Sequence, residues 1–366
     1  MFHPVRAFFP EKQKTQMLKT HIFHLPLYST NEEPDTMTQK DSISLNDIKA
    51  PLEGEMGAYE SFLREALHSD SRYFDDILKY IFDTRGKGVR PTLVMLFAGV
   101  HNNGRSFGKR IHLAAALIEL IHTASLVHDD VIDRAELRHG KSSINQKWGK
   151  RNAILTGDFI LSRIFEMGME SLEFDILTYV SHAIKWLCEG EVIQDEQTKT
   201  LGMTHEKYYD IIDKKTASLL AISCGVGALA AGAPAVEVDK AYEFGRNIGM
   251  AFQIKDDILD YAAADQTGKP TCADLREHKI TLPLLEAMRG MTPEEEADSR
   301  RIVGWGDEEA IAEINAKIVK YNGIECAERI MDDYLVAAKE ALLHYPDSPY
   351  RTALYGMCDF LAQRKR

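Results

Sequence analysis

Cysteine is scarce in this chain: five residues in 366, spread from Cys188 to Cys358 with no Cys-x-x-Cys pair. That excludes a disulfide-stapled scaffold and a cysteine-ligated zinc module, and it leaves small reduced core residues as the reading. Proline is also sparse, with 12 residues, and no low-complexity linker interrupts positions 37–366, so a collagen-like or largely disordered chain is excluded. A surplus of positive charge is missing too. With 44 Lys+Arg against 56 Asp+Glu the net charge is −12, which argues against general nucleic-acid binding. An anionic small substrate stays open, because a few local cations or bound metal ions reverse the field inside a pocket. A compact apolar stretch followed by a small-residue cleavage site is absent from the N-terminus, so secretion is not expected. The one long uncharged run, Thr216–Val236 (TASLLAISCGVGALAAGAPAV), is long enough to span a bilayer. It is built from Ala, Gly and Ser, contains Pro234 and lacks flanking aromatics, and so reads as a buried core helix.

Residues 1–36 differ from the remainder of the chain: Arg6, Lys12, Lys14 and Lys19 precede position 30 against a lone Glu11, without amphipathic repeat. They read as an N-terminal extension, disordered or absent from the mature chain, with Met37 as an alternative start. The expected location is then the cytoplasm; read as a transit peptide, the same segment implies mitochondria. Residues 37–366 read as a single domain. Helical spacing of apolar residues recurs in segments such as Phe74–Phe82, Ile111–Val127, Phe159–Met169, Ala241–Tyr261 and Ala327–Leu343. The alternation of a sheet is missing, and turn signals such as Arg85-Gly86-Lys87-Gly88, Gly232–Pro234 and Gly268-Lys269-Pro270 fall between the helices. The expectation is an all-α domain of ten or more helices.

Against that background one motif occurs twice. Leu126–Ala135 reads LVHDDVIDRA and Ile254–Ala263 reads IKDDILDYAA, so Asp-Asp-x-x-Asp recurs 127 residues apart. Asp129 and Asp133 share a helix face, as do Asp256 and Asp260, and like charges at that spacing repel. One such cluster alone is ordinarily a solvated face; two on apolar helices suggest facing carboxylates that hold divalent cations. Mg²⁺ suits such a set, completing its shell with water and substrate phosphate oxygens. The chemistry indicated is loss of a diphosphate leaving group. Cations lie in the surrounding turns and helix ends: Lys87 and Arg90 in RGKGVRP, Arg138 and Lys141 after the first motif, Lys214 and Lys215 before the small-residue run, Lys255 and Lys269 around the second motif.

With GKGVRP (86–91), DDVID (129–133), RHGK (138–141), KTASL (215–219), FQIKDDILD (252–260), GKP (268–270) and KITLP (279–283) in that order, the chain resembles the trans-isoprenyl diphosphate synthases, or polyprenyl synthetases, from about residue 45 to the end. The resemblance implies an isoprenoid synthase-type helical bundle around a deep central cavity, usually a homodimer, and head-to-tail condensation of isopentenyl diphosphate onto an allylic diphosphate. It implies three Mg²⁺ ions per site, held by Asp129, Asp133 and Asp256, with Asp130, Asp257 and Asp260 in support. Arg138, Lys215 and Lys269 would bind the allylic diphosphate, and Lys87, Arg90, His122 and His139 the isopentenyl diphosphate. Thr216 and Gln253 would face the developing allylic cation.

In this family the positions four and five before the first motif set product length, large aromatics there giving short products. Here they are Ser125 and Ala124, with Ile121, Leu120 and Ala116 further up, each turn adding about 5.4 Å of depth. A heptaprenyl to decaprenyl product is therefore expected, of the kind used for quinone side chains, with peripheral membrane contact for its release. A short-chain farnesyl or geranylgeranyl synthase is the alternative, and a non-catalytic regulatory subunit a remoter one. The sequence departs from the family pattern at Arg85, where a glycine is usual, at His139, where a second Arg is usual, and at Cys272 and His278, where glycines are common. A class I terpene cyclase would carry a different second motif. A di-iron bundle would need opposed Glu-x-x-His pairs, which Glu119–His122 and Glu136–His139 are too close in sequence to supply.

Overall fold

The spacing of apolar residues by three and four becomes helix almost throughout. The computed structural model describes residues 43–102, 104–261 and 272–364. Its first helices are α1 (Leu45–Lys49), α2 (Glu53–Ala66), α3 (Arg72–Thr84), α4 (Val89–His101), α5 (Lys109–Ile132), α6 (Ile144–Trp148), α7 (Lys150–Glu170), α8 (Phe174–Thr200) and α9 (His205–Ile212). A π turn (Asp213–Ala217) leads into α10 (Ser218–Ala230), and α11 (Ala235–Asp260) and α12 (Ala273–Arg276) come after it. The C-terminal part adds α13 (Leu282–Met288), α14 (Pro293–Val303), α15 (Glu308–Lys320), α16 (Gly323–Ala341) and α17 (Pro349–Gln363). Among the described residues the only sheet is a two-stranded hairpin, β1 (Leu137–Arg138) with β2 (Lys141–Ser142). The fold is all-α, as expected. Lys269 and its turn, and the reading of residues 1–36, lie outside the described residues.

The uncharged small-residue run forms the centre. Helix α10 is buried along nearly its whole length and is packed by α4, α5, α8 and α11. Small residues matter here because they let backbones approach. A Cβ added at Gly249 of α11 would lie 2.5 Å from Ala217 Cα, and one at Gly245 would lie 2.5 Å from the Leu220 carbonyl oxygen. The core is filled to crystal-like density, so such a group has nowhere to go. Gly232, at φ +83°, ends the run, and Pro234 sets up α11. One described helix, α5, is long and apolar enough to cross a membrane, but 72% of its apolar window is covered by the rest of the protein.

Candidate active site

Both acidic motifs sit at the same place on their helices. Asp129 and Asp130 lie in the last turn of α5, and the Asp133 N–H closes that helix on the Asp129 carbonyl at 2.8 Å. Asp256, Asp257 and Asp260 are within the last five residues of α11. The C-terminal end of a helix carries the negative pole of its macrodipole, where carboxylates are disfavoured and cations are welcome. Six acids at two such ends therefore call for positive charge from elsewhere.

Around the first motif that charge is incomplete. Asp130 is buried and paired with Arg138, whose Nε donates to Oδ1 at 2.9 Å and whose second nitrogen also bonds that oxygen. Asp129 has no such partner among the hydrogen bonds seen. Its carboxyl is pushed up to about 6 by burial and then by the neighbouring Glu191, against the pull of Lys215. Burial also raises Asp133, opposed by Lys279 and Lys215. Lys279 is ion-paired with Glu277 at 2.5 Å and is also coupled electrostatically to Asp274, beside the second motif, and to Asp133 of the first.

Lys215 and Thr216 are aimed by a distortion. Residues 213–217 form a π turn, with the Ser218 N–H bonded to the Asp213 carbonyl, inside what would otherwise be one helix from α9 through α10. Such turns concentrate at functional sites because they rotate side chains away from the regular helical stripe. Asp213 is clamped by Arg246 of α11 through two bonds, of 2.9 and 3.2 Å. Gly190 of α8 lets the backbone of the turn approach, its missing Cβ being 3.1 Å from the Lys215 nitrogen. The flanking Glu191 then reaches Lys215 Nζ at 2.5 Å, and Gln194 accepts from it at 3.3 Å. The Thr216 hydroxyl donates to Gln253 Oε1 at 2.7 Å, and Gln253 Nε2 donates to Asp257 Oδ1 at 2.9 Å. Tyr208 of α9 donates to the other Asp257 oxygen at 2.7 Å. Thr216 and Gln253, both expected to face the allylic cation, are thus joined by a hydrogen bond at the end of a four-residue chain. Asp257 is buried, and desolvation, with Asp274 close by, holds its carboxyl well above the usual carboxylate range.

The other two acids of the second motif are engaged as well. Arg364, just beyond α17, pairs with Asp256 Oδ1 at 2.5 Å and stacks over Phe252 at 4.6 Å. Asp260 accepts the N–H groups of Ala273 at 2.9 Å and Asp274 at 3.0 Å, fixing the start of the short helix α12. Cys272 and His278, which flank that helix, have φ of +58° and +59°. The left-handed region costs any residue with a Cβ, which is the physical reason glycine suits both positions. Cys272 is buried with Asn315 Nδ2 3.0 Å from its sulfur, and His278 Nδ1 sits 2.9 Å from the Val303 carbonyl, so each side chain is anchored.

The remaining candidates surround the Arg85–Gly88 turn. Gly88, at φ +66°, starts α4; Lys87 is exposed, and Lys49 of α1 donates to its carbonyl at 2.6 Å. Burial lowers Arg90 to about 10 and drives His122 well below its ordinary value, so His122 is neutral. His139 and Gly140 form the two-residue turn of the hairpin with φ of +50° and +76°, the type I′ geometry that suits right-twisted strands. Arg85, Gly86, Glu119, His122, Arg138 and His139 all line a cavity of about 60 Å³. On another part of α5, Ala124 is buried, and the Ser125 hydroxyl bonds the His122 carbonyl at 2.9 Å.

Several of these groups escape a reading by motif. Glu191, Gln194 and Tyr208 look like ordinary polar positions of long helices, and Arg364 like a charged tail. Lys279 stands in KITLP without an evident partner. The one available signal is Gly190 between two glutamates, since a glycine inside a helical run marks a close approach.

The donor set suits a hard divalent cation: carboxylate oxygens, several of them raised in pKa by burial. Among the described residues no three acidic, thiol or imidazole groups converge on one point. An ion here would take one or two carboxylates and the rest of its shell from water and phosphate, the habit of Mg²⁺.

Comparison with known proteins bears on this arrangement. The family described as polyprenyl synthetase matches residues 71–321. Octaprenyl diphosphate synthase of Escherichia coli K12 is 34% identical over 327 residues, spanning 88% of this chain and 100% of its own. A short-chain isoprenyl diphosphate synthase of Methanothermobacter thermautotrophicus is 34% identical over 292 residues, 78% of this chain and 89% of its own. A crystal structure of a polyprenyl synthase from Caulobacter crescentus CB15, complexed with calcium and isoprenyl diphosphate, superposes with a TM-score of 0.79 at 31% identity, covering 89% of this chain and 100% of that one.

Proposed function

The chain belongs to the polyprenyl synthetase family and is a prenyltransferase, and from that premise we propose that it is a Mg²⁺-dependent long-chain trans-polyprenyl diphosphate synthase. It condenses isopentenyl diphosphate repeatedly, 1′ to 4, onto an allylic primer of the farnesyl or geranylgeranyl type. The observation that carries the reading is the pair of carboxylate clusters at two helix C-termini, with Lys215 acting on the first and Lys279 coupled to both.

Asp129, Asp133 and Asp256 are the residues that would hold Mg²⁺, which when bound neutralises charge on the departing diphosphate. Lys215, aimed by the π turn and steadied by Glu191 and Gln194, and Arg138, steadied by Asp130, face the same diphosphate. The allylic C–O bond breaks with its electron pair leaving on that diphosphate. Thr216 then presents oxygen lone pairs to the allylic cation, because its O–H is committed to Gln253. Fixed dipoles of this kind need no reorganisation as charge develops. Neutral His122 sits with Lys87 and Arg90 at the isopentenyl side, where a hydrogen bond orients the second diphosphate without adding to the local positive charge. The isopentenyl double bond attacks the cation, and the proton it sheds goes to the released diphosphate.

Small side chains at Ala124 and Ser125 support a long product, since no aromatic ring closes α5 at that level. A C35–C50 product for quinone side chains, released with peripheral membrane contact, is the consequence of that reading. The exposed Ile154, Leu155, Phe165 and Met169 of α7 support a homodimer through that helix.

Purified full-length chain with Mg²⁺, farnesyl diphosphate and labelled isopentenyl diphosphate tests this, the products being separated by length. A ladder ending at seven to ten isoprene units is expected. A stop at three or four units overturns the long-chain reading and favours the short-chain alternative. No incorporation overturns the enzyme reading for the isolated chain and favours a partner-dependent subunit.

A further inference from the structure

The 85–88 turn holds more positive charge than its own acids consume. Glu119 is buried, and Lys49, Arg85 and Arg90 all act on it electrostatically. Yet Lys49 spends its hydrogen bond on the neutral Lys87 carbonyl, and Arg85 reaches the half-exposed Glu60 with one nitrogen, Nη2, at 2.9 Å. Among the described residues, Arg85 Nη1 and Arg90 Nε are buried with no acceptor. Buried donors are nearly always satisfied, so two orphaned guanidinium nitrogens in one cluster ask for an anion with several oxygens. The cavity beside Arg85 is lined by Arg85 itself, with Gly86, Glu119, His122, Arg138 and His139.

His139 stands against the same turn. Its Nδ1 lies 3.4 Å from the Thr84 carbonyl, and its ring would be 3.2 Å from a Cβ at Gly86. The imidazole therefore occupies the space a side chain at position 86 would need, next to Arg85. Arg85 in turn is braced: its guanidinium lies 4.0 Å over the Phe82 ring, which leaves the fork pre-organised.

We propose that Arg85 is a diphosphate ligand of the isopentenyl subsite, its Nη1 taking a phosphate oxygen in the cavity, with His139 as the group that positions the turn. This rests on the synthase reading above and names a residue for its second substrate. The positive charge of that subsite is thus supplied from the turn before α4 as well as by Arg138 of the hairpin, which lines the same cavity.

The test measures binding of isopentenyl diphosphate by calorimetry and steady-state KM for both substrates in the full chain. Arg85→Gln is expected to raise Kd and KM for isopentenyl diphosphate about ten- to a hundred-fold, with the allylic KM unchanged, as expected for loss of a charge-assisted phosphate contact. Arg85→Lys should recover part of it, and His139→Arg in the Arg85→Gln background should recover most of it. Glu60→Gln removes the visible partner of Arg85 and should leave both KM values alone. If Arg85→Gln and Glu60→Gln behave alike, or if Arg85→Gln and Arg85→Lys both bind isopentenyl diphosphate as the unaltered chain does, the proposal is overturned and Arg85 is a structural pair. If the unaltered chain binds no isopentenyl diphosphate, the synthase reading falls and this proposal with it. A melting curve for each variant separates misfolding from loss of the contact.

Discussion

The two Asp-Asp-x-x-Asp motifs are equal in sequence and unequal in what surrounds them. In the first, the middle acid Asp130 is neutralised by Arg138, while Asp129 lacks a visible bond and rises to about 6. In the second, Asp257 is held by neutral donors, Tyr208 and Gln253, Asp256 by Arg364, and Asp260 by two backbone N–H groups. The first cluster keeps its charge in reserve, and the second spends its bonds on architecture. Spacing tells that acids are gathered; the helices packed behind them decide which acids are available.

The largest effect should come from removing a reserved acid. Asp129→Asn is expected to lower kcat by about 10²–10³, the scale of losing one preorganised electrostatic element, with little change in melting temperature. Asp257→Asn should invert the pattern. An amide cannot accept from both Tyr208 and Gln253, so stability falls by about 1–3 kcal/mol and kcat falls less than for Asp129→Asn. If the two variants lose activity and stability in equal measure, the motifs are equivalent after all.

A pH series sharpens the same contrast. Asp129 titrates at about 6 in the fold against 3.8 ordinarily. Between those values the native chain holds a proton that the unfolded chain has released, so this group's stabilising contribution is greatest below 3.8 and is lost as pH rises through about 6. A cation must displace that proton at low pH. Apparent Mg²⁺ affinity, measured with a diphosphate present, should therefore weaken by up to about tenfold per unit below pH 6, and Asp129→Asn should flatten that dependence.

The smallest effect is expected at the chain end. Arg364→Ala frees Asp256 from its ion pair, and the Mg²⁺ concentration for half-maximal activity should fall about two- to five-fold, the size of a partly exposed pair. An unchanged or raised requirement would mean that Arg364 does not compete with the ion.

Much of this was legible in the residues themselves. Helical spacing gave the helices because each buries one stripe, and the Ala/Gly/Ser run gave the central α10 because only small side chains allow such close crossings. The motifs gave the helix ends that carry the acids. The rest was not legible because it depends on tertiary neighbours. Arg138 looks like a free phosphate ligand until the hairpin lays it on Asp130. Glu191 looks solvated until Gly190 brings α8 against Lys215. Cys272 and His278 look like arbitrary replacements until their backbone is seen to be left-handed.

The π turn at 213–217 amounts to one inserted residue. Deleting a residue there would restore a regular, better-bonded helix from α9 to α10, yet it would remove the widened turn that aims Lys215 and Thr216. The chain thus keeps a weaker helix as its working form, and single-residue deletions in this stretch should be tolerated far worse than substitutions at its exposed positions.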